Sequence, residues 1–395
     1  MMIQAVLGNP HHPEYGVATI PFPIPRDQYA HCMELLEALE IGDAVKADCK
    51  VEKIDSFYTV LKRTEMRTVN VEELNYLAKR LDSFDTGEAA QFQAMAHKLE
   101  LFQLKDLINL TSCCQQATVI TDFSDLAAIG RDHYMNLHGG SASVDELNAL
   151  DGEKTARRLI ENGGGTITPY GVVYDNGMKL EQVYDGRFFP CYYYEPNAIT
   201  VAVTSKSEPE DTEHITWLFL PMEREEIDRA LLRGGITDPA NVRLRLEDSQ
   251  LPNEVDVLLD MEYETLSDLN ELAEATDGLS KVDMEKLGAV VTLAEPKSAA
   301  QIKNLAESLD LFDFAPGAHT PQDYGKYMIQ QSGHFDYDEN LDAFYDYEKY
   351  GTERMNAEDG MFTDRGYIAY KGYTSIEEVM NGSQSSHMEM GGLSR

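Results

Sequence analysis

The stretch "YDYEKYGTERM", Tyr345–Met355, crowds three tyrosines and three acids into eleven positions. Its centre, "DYEK" at 346–349, indicates an acidic helix start. The same start occurs earlier in the chain: "DYEK" at 346–349 answers "DGEK" at 151–154, at a spacing of 195 residues. A helix start that returns at such a distance points to an internal repeat.

Further stretches recur with the same spacing. In the helical middle "EELNYLAKRL" matches "SDLNELAEAT", and later "GTITPYGVVY" matches "GMFTDRGYIA". The matched ranges are 72–81 with 267–276, 128–135 with 323–330, and 165–174 with 360–369. Near the amino terminus the spacing becomes 196, where "IQAVL" (3–7) answers "ITVAV" (199–203). A nearly constant spacing along most of the chain predicts a tandem duplication.

The predicted domains follow from this repeat. We expect a first, more divergent copy at 1–195, a second, more acidic copy at 196–382, and a disordered Gly/Ser-rich tail at 383–395. The predicted fold class is α+β: an elongated, multi-module chain of two tandem copies, each made of small mixed α/β modules and a helical middle. In the helical middle of the first copy, Asn70 and Thr86 are the predicted N-caps.

The charge of the chain is extreme. It carries 69 acidic against 33 basic side chains, a net charge of −36, and residues 247–364 alone hold 28 acids and 7 bases. These acids alternate with Leu, Val and Tyr, which predicts carboxylates at fixed positions on the outside of folded elements. Such a surface disfavours binding to nucleic acid and to anionic membranes, and it favours proteins that bind polyanions. Duplex DNA carries one negative charge per ~1.7 Å of axis, so the net charge matches roughly 18 base pairs.

Patterns for catalysis, metals and cofactors are weak. The segment "DYDENLD", Asp336–Asp342, begins like a calcium loop, but Leu341 stands where the turn needs Gly, and Tyr347 stands where the bidentate Glu belongs. The sequence contains no phosphate-binding glycine motif and no hydrolase or zinc-enzyme motif. We therefore expect no enzyme, no catalytic residue, no metal and no cofactor.

The cysteines and the hydropathy pattern bear on the compartment. Five cysteines, an odd number without a C-x-x-C pair, predict a reducing environment. No run approaches the ~18 consecutive apolar residues that a transmembrane helix needs, and the first residues lack the pattern of a signal peptide. We expect a cytoplasmic protein without membrane contact.

The segment "FYDYEKYGTERM", 344–355, resembles the C-terminal motif of the ArdA antirestriction family. The "LNELAE" helix, the "YGKYM" segment and the "GYIAY" strand are similar to that family as well, over most of 196–372 and more faintly over 1–175. The resemblance implies a small acidic dimer of mixed α/β modules that mimics bent B-form DNA. Such proteins occupy the DNA-binding groove of Type I restriction–modification enzymes and protect incoming mobile DNA.

The sequence departs from the family pattern in three respects. The family's unit is about half as long, which implies that two units are fused here. The family's Arg-Asp pair falls on Thr352-Glu353, with Arg354 one residue late. In the first copy Gly152 and Thr155 replace the tyrosines, so we expect the second copy to carry more of the contact surface.

The resemblance and the charge pattern together define a candidate surface. The implied partner is the methyltransferase and specificity subunits of a Type I complex, with a homodimer or an internal pseudo-dimer as the assembly and with no nucleic acid or membrane. Tyr347, Tyr350 and Arg354 share a helical stripe and are the candidates for self-association. The predicted partner-binding carboxylates are Asp256, Asp260, Glu262, Glu264, Asp268, Asp336, Asp338, Glu339, Asp342, Asp346, Glu348 and Glu353.

Two other functions stay open at this point. A metal-dependent hydrolase would use clustered carboxylates in a cleft. An acidic adaptor protein of a conjugative element would carry its charge for solubility alone. For the tyrosine stripe, a half-buried helix whose rings pack in the core is the alternative to a contact surface.

Overall fold

The computed structural model describes residues 3–192, 197–210 and 212–382. The expected boundary between 195 and 196 and the expected disordered tail at 383–395 lie outside these residues. Within them the chain is a mixed α/β protein with four small sheets, so the predicted mixture of helices and strands is confirmed. In the same part of the chain, no helix combines the length and the apolar character needed to cross a membrane.

The chain forms two compact units. Unit 1 contains Met1–Glu195, Pro209–Trp217 and Glu223–Pro239. Unit 2 contains Pro196–Glu208, Leu218–Met222 and Ala240–Arg395. Because segments beyond residue 195 belong to unit 1, the boundaries of the compact units differ from those of the sequence repeat. The predicted boundaries of the two copies stay a prediction.

Unit 1 begins with an antiparallel four-stranded sheet in the order β2-β1-β3-β4. Its strands are β1 (Ile3–Gly8), β2 (Val17–Phe22), β3 (Cys49–Asp55) and β4 (Thr68–Val69). Ile3, Ala5 and Leu7 are buried and alternate with more exposed residues, as the core-facing side of a strand requires. The helices that share this core are α1 (Tyr29–Glu37), α2 (Val71–Asp82), α3 (Thr86–Lys98) and α4 (Leu104–Leu110).

A three-stranded sheet in the order β5-β7-β6 follows in unit 1. Its elements are β5 (Thr118–Ile120), α5 (Leu126–Leu137), α6 (Val144–Ala149), α7 (Gly152–Glu161), β6 (Thr166–Thr168) and β7 (Gly171–Tyr174). Helices α5 and α7 cross at Gly130, where an added Cβ would lie less than 3.0 Å from the Gly152 carbonyl. Only glycine permits so close an approach of two backbones.

Helix α8 (Arg224–Arg233) completes unit 1. The Arg233 side chain is buried, and its guanidinium lies 3.6 Å from the Glu73 carboxylate. Arg229 donates a hydrogen bond of 2.7 Å to Glu72. Since buried carboxylates are tolerated only when they are paired, these arginines are part of the fold of unit 1.

Unit 2 holds a sheet in the order β10-β8-β9 and a second sheet in the order β11-β13-β12. The first consists of β8 (Ile199–Ser205), β9 (Thr216–Leu220) and β10 (Val242–Ser249), of which Thr216 and Trp217 are counted with unit 1. The helical middle consists of α9 (Asn253–Asp256), α10 (Leu266–Thr276), α11 (Lys281–Ala294) and α12 (Ala299–Ala306). The last part consists of β11 (Phe312–Pro316), α13 (Pro321–Gln330), α14 (Tyr347–Met355), β12 (Asp359–Thr363), β13 (Gly366–Tyr370) and α15 (Ile376–Met380).

Helix starts in the two units share the spacing of 195 residues. The paired N-caps are Asn70 and Thr265, Asp85 and Ser280, Gln103 and Ser298, Asp125 and Thr320, and Asp151 and Asp346. The prediction of Asn70 as an N-cap is confirmed, because its side chain accepts from the Glu73 N–H. The prediction of Thr86 is wrong by one residue: Asp85 is the cap. Asp85 and Glu88 each bind the other's backbone N–H, and this reciprocal capping box fixes the helix start one residue earlier.

A long-range side-chain contact also recurs at this spacing. In unit 1 the hydroxyls of Thr59 and Tyr170 lie 2.8 Å apart. In unit 2 the residues 195 positions later are Glu254 and Arg365, which form a bidentate ion pair of 2.8 and 2.7 Å. Each contact ties the helical middle to the turn of the last hairpin, with different chemistry at the same place. The origin of this repeat by duplication stays a prediction.

Candidate protein-interaction surface

Most of the stretch Tyr345–Met355 forms α14, which begins after the N-cap Asp346. The Asp346 carboxylate accepts a hydrogen bond of 3.1 Å from the Lys349 N–H. Helix α14 crosses α13 at Gly325 and Gly351, where an added Cβ would meet backbone of the facing helix at less than 3.0 Å. The two glycines therefore bring the helices into direct backbone contact and fix the position of α14.

The tyrosine stripe of α14 is half-buried. Tyr350 packs against a small core that includes Tyr324 and Tyr367. Arg354 forms an ion pair of 2.5 Å with Glu358, and the Tyr324 hydroxyl donates to the same Glu358 carboxylate at 2.6 Å. Contacts within unit 2 thus bury part of the surface of each side chain in the stripe. Self-association through this stripe stays a prediction.

Asp342 anchors the acidic segment, which we define as residues 336–348. Its Oδ1 accepts hydrogen bonds from the Tyr347 hydroxyl at 2.5 Å, the Tyr337 hydroxyl at 2.8 Å and the Gln330 amide at 2.8 Å. The donated hydroxyl bonds hold the pKa of the Asp342 carboxyl below its ordinary value. The tyrosine hydroxyls bind the Asp342 carboxylate and so hold the segment that carries the other acids. This contact accounts for the crowding of tyrosines and acids in the stretch.

The start of the acidic segment is a capped turn. Asp338 precedes a 3₁₀ helix, Glu339–Phe344, and its Oδ1 accepts from the backbone and the side-chain amide of Asn340, both at 2.9 Å. An Asp in this role explains the resemblance to the beginning of a calcium loop. Among the described residues, no group of three or more His, Cys, Asp or Glu side chains is arranged to hold a metal ion.

Nine of the twelve predicted partner-binding carboxylates are exposed. They are Asp260, Glu262, Asp336, Asp338, Glu339, Asp342, Asp346, Glu348 and Glu353. Most lie in the acidic segment or on α14, and Asp260 and Glu262 lie in the turn ahead of α10. Caps, a crossed helix pair and the Asp342 network fix the backbone beneath them. The structure thus brings these carboxylates to the surface at defined positions.

The other three predicted carboxylates are half-buried and serve the fold. Both oxygens of Glu264 lie near 3.0 Å from the Ala299 N–H at the start of α12, and burial raises the pKa of this carboxyl. Asp268 accepts from the Thr265 hydroxyl at 2.7 Å in the first turn of α10. Burial also raises the pKa of Asp256. These three side chains have less freedom to meet a partner, and no sequence pattern separates them from the exposed nine.

Exposed apolar side chains stand among these acids, and the sequence argument did not select them. Val257, Tyr263 and Phe344 are 84%, 78% and 83% exposed. Large apolar groups with acidic neighbours are typical of contact surfaces, in which a few anchors are ringed by charge. A signal existed in sequence, since each of them lies within three residues of a predicted carboxylate. The hydrophobic periodicity of these segments does not show which of the three apolar side chains face solvent.

Unit 1 lacks most of these carboxylates. At the positions 195 residues earlier, only four of the twelve are acidic: Glu65, Glu73, Asp151 and Glu153. The others are Leu61, Arg67, Val69, Ser141, Ser143, Val144, Leu147 and Arg158. Five helix starts and the order of the shared strands correspond between the units, while β4 occurs only in the first sheet of unit 1. The loss of acids is therefore mainly a difference in surface charge.

A comparison with protein families gives a match for part of the chain. Residues 212–369 match the family described as Antirestriction protein (ArdA). The matched range contains all twelve predicted carboxylates, the acidic segment and α14. No curated protein matches the chain.

Proposed function

We propose that the chain, whose residues 212–369 match the ArdA antirestriction family, acts as a DNA mimic. In this proposal it occupies the DNA-binding groove of a Type I restriction–modification enzyme, on the methyltransferase and specificity subunits. Incoming mobile DNA is protected because the enzyme's binding groove is already filled. The protein catalyses no reaction; it inhibits by competition.

The exposed, positioned carboxylates carry this proposal. A restriction enzyme holds DNA mainly through Lys and Arg side chains that contact phosphates. Carboxylates on the acidic segment and α14 stand in for those phosphates. Their positions are fixed before binding, so little side-chain and loop entropy is lost when the partner docks. The Asp342 network matters for this reason, although Asp342 itself is largely occupied by its own donors.

Exposed apolar groups add a second kind of contact. Tyr263 and Phe344 present rings beside Glu262 and Asp342. Charge complementarity mainly steers association, whereas buried aromatic anchors slow dissociation. We propose that the rings pack against the stems of the enzyme's basic residues, which have apolar methylene chains.

We further propose that the second copy, 196–382, carries the inhibitory surface. The first copy, 1–195, would then keep the scaffold without most of the matching acids. Whether the contact unit is a homodimer or an internal pseudo-dimer of the two copies follows from the oligomeric state, which sedimentation of the full chain measures.

A charge-reversal pair tests the proposal. The first variant converts four exposed acids of the second copy to lysine: Asp336, Glu339, Glu348 and Glu353. The control variant converts four exposed acids of the first copy: Asp145, Glu153, Glu161 and Glu181. Both change the net charge equally. Exposed ion pairs contribute about 0.2–1 kcal/mol each, so we expect the first variant to bind the methyltransferase at least about tenfold more weakly.

The readouts are affinity for the purified methyltransferase and cleavage of unmodified DNA in the presence of the inhibitor. The control variant should inhibit almost as well as the parent protein. Affinity of the parent should fall as salt is raised, because screening acts on each carboxylate–cation pair. Equal loss of inhibition in both variants would show that net charge alone causes the effect. An affinity that does not change with salt would refute phosphate mimicry.

A further inference from the structure

Unit 2 contains a cavity of about 380 Å³ between α11, β11 and α13. Phe312, Phe314, Tyr327 and Met328 supply apolar and aromatic walls. Polar and charged residues line the remainder: Lys286, Asp310, Asp313, Ser332, His334 and Lys371. Its volume is within the range of small-molecule sites, and its mixture of apolar walls with a few polar groups is typical of them.

Two lysines face this cavity in a strongly acidic protein. Lys371 is neutralised, because its ammonium forms an ion pair of 2.7 Å with Asp313. Lys286 is half-buried and takes part in none of the ion pairs found among the described residues. Burial first, and then the charge of Lys371, lowers the pKa of Lys286, while Asp313, Asp283 and Asp310 act in the opposite direction. Lys286 is thus a cation held in a cavity without a close partner.

The corresponding place in unit 1 contains no lysine and is crossed by hydrogen bonds between side chains and backbone. At the spacing of 195, Gln91 replaces Lys286, and its amide donates to the Ala117 carbonyl at 2.6 Å. Thr118 replaces Asp313, and Asn176 replaces Lys371. The Asn176 amide donates to the Thr118 hydroxyl at 2.9 Å. The same scaffold can therefore form this place without either lysine, so Lys286 and Lys371 are not imposed by the fold.

We propose that this cavity binds a small organic anion, a carboxylate or phosphate monoester on a flat apolar ring, with Lys286 as the residue that binds the anionic group. The ring would lie against Phe314 and Met328. The Tyr327 hydroxyl is a further donor on the wall. The proposal concerns a small-molecule site and is independent of the proposed DNA mimicry.

Electrostatics favour an anion in this position. A partly desolvated ammonium gains free energy when an opposite charge enters, because the low local dielectric strengthens the attraction. The same anion offsets the repulsion between Lys286 and Lys371. Since the anion stabilises the charged form of Lys286, its binding at alkaline pH must be accompanied by proton uptake.

Met328 gives a site-specific probe in the full-length protein. The chain has 16 methionines, and labelling their methyl carbons gives one NMR signal each, with those outside the cavity as internal controls. We expect benzoate and phenyl phosphate to shift the Met328 signal with a dissociation constant near or below about 1 mM. Benzylamine, which has the same ring and the opposite charge, should not shift it.

Two glutamine variants make the test specific. Lys286→Gln installs the residue found in unit 1 and should weaken benzoate binding about tenfold or more, since a hydrogen bond to a charged group is lost. Lys281→Gln removes an exposed lysine from the start of the same helix and should leave the titration unchanged. The parent protein should take up protons on binding at pH above neutrality, as calorimetry in buffers of different ionisation enthalpy measures.

The proposal is overturned if the Met328 signal does not move, if benzylamine binds as well as benzoate, or if both lysine variants bind alike. None of these results bears on inhibition of restriction, and a failure to inhibit restriction leaves this titration unaffected. The two proposals therefore fail separately.

Discussion

Gly325→Ala is expected to displace α14 and to loosen the acidic surface without removing any charge. The new Cβ would lie less than 3.0 Å from the Tyr347 carbonyl oxygen. It would also lie too close to the Gly351 backbone nitrogen for an unstrained contact. Overpacking of this kind costs about 3 kcal/mol, while the better helix propensity of alanine returns about 1 kcal/mol. The net expectation is a loss of about 2 kcal/mol from the stability of the crossed helices.

Hydrogen exchange followed by mass spectrometry measures this loss locally. Peptides from α13 and α14 should exchange faster by more than tenfold, because about 1.4 kcal/mol corresponds to each factor of ten. Peptides from the equivalent crossing of α5 and α7 in unit 1 are the control within the same sample. Gly87→Ala, in the first turn of α3 where only the Asp85 carboxylate is near, should be neutral. Unchanged protection of α14 in Gly325→Ala would refute the inferred backbone contact.

Three further changes test particular interactions. Glu254→Gln should lower the free energy of unfolding by about 2 kcal/mol at pH 7. The Arg365 guanidinium holds the pKa of the Glu254 carboxyl below its ordinary value. The difference in stability should therefore vanish as the pH falls through that lowered pKa. Urea titrations at pH 7 and at a pH below the lowered pKa measure this. Arg233→Met should destabilise unit 1 by about 3–5 kcal/mol, since the Glu73 carboxylate loses its positively charged partner; a smaller loss of stability in urea would contradict the role of Arg233 in the fold. Asp342→Ala should speed hydrogen exchange in the acidic segment while global unfolding changes little, and equal protection would show that the tyrosine clamp is not what orders the segment.

The sequence predicted those features that depend on neighbours along the chain. Asn70 and Asp346 are N-caps because their side chains reach backbone N–H groups three residues on, and such local contacts can be read from residue order. Thr86 failed for the same local reason: Asp85 with Glu88 is the better cap. The repeat spacing predicted paired helix starts without any knowledge of the fold.

The features that sequence reasoning missed depend on contacts between distant residues. Glu264 binds the start of a helix 35 positions away, so nothing in its own segment distinguishes it from the exposed Glu262. The role of Asp342 depends on Gln330 and two tyrosines that a fold must first bring together. Pattern and charge could select the acidic region but could not divide its carboxylates into those that hold the fold and those that face solvent.

Helix α8 has a consequence for how the gene can be divided. The repeat suggests a cut near residue 195, yet the arginines that neutralise Glu72 and Glu73 are encoded beyond it. An amino-terminal half ending there would leave these two half-buried carboxylates without their arginine partners. Coexpressed as separate polypeptides, the halves would need to complement one another in trans. The two repeats are consecutive in the sequence, but the folded unit 1 includes residues from both of them.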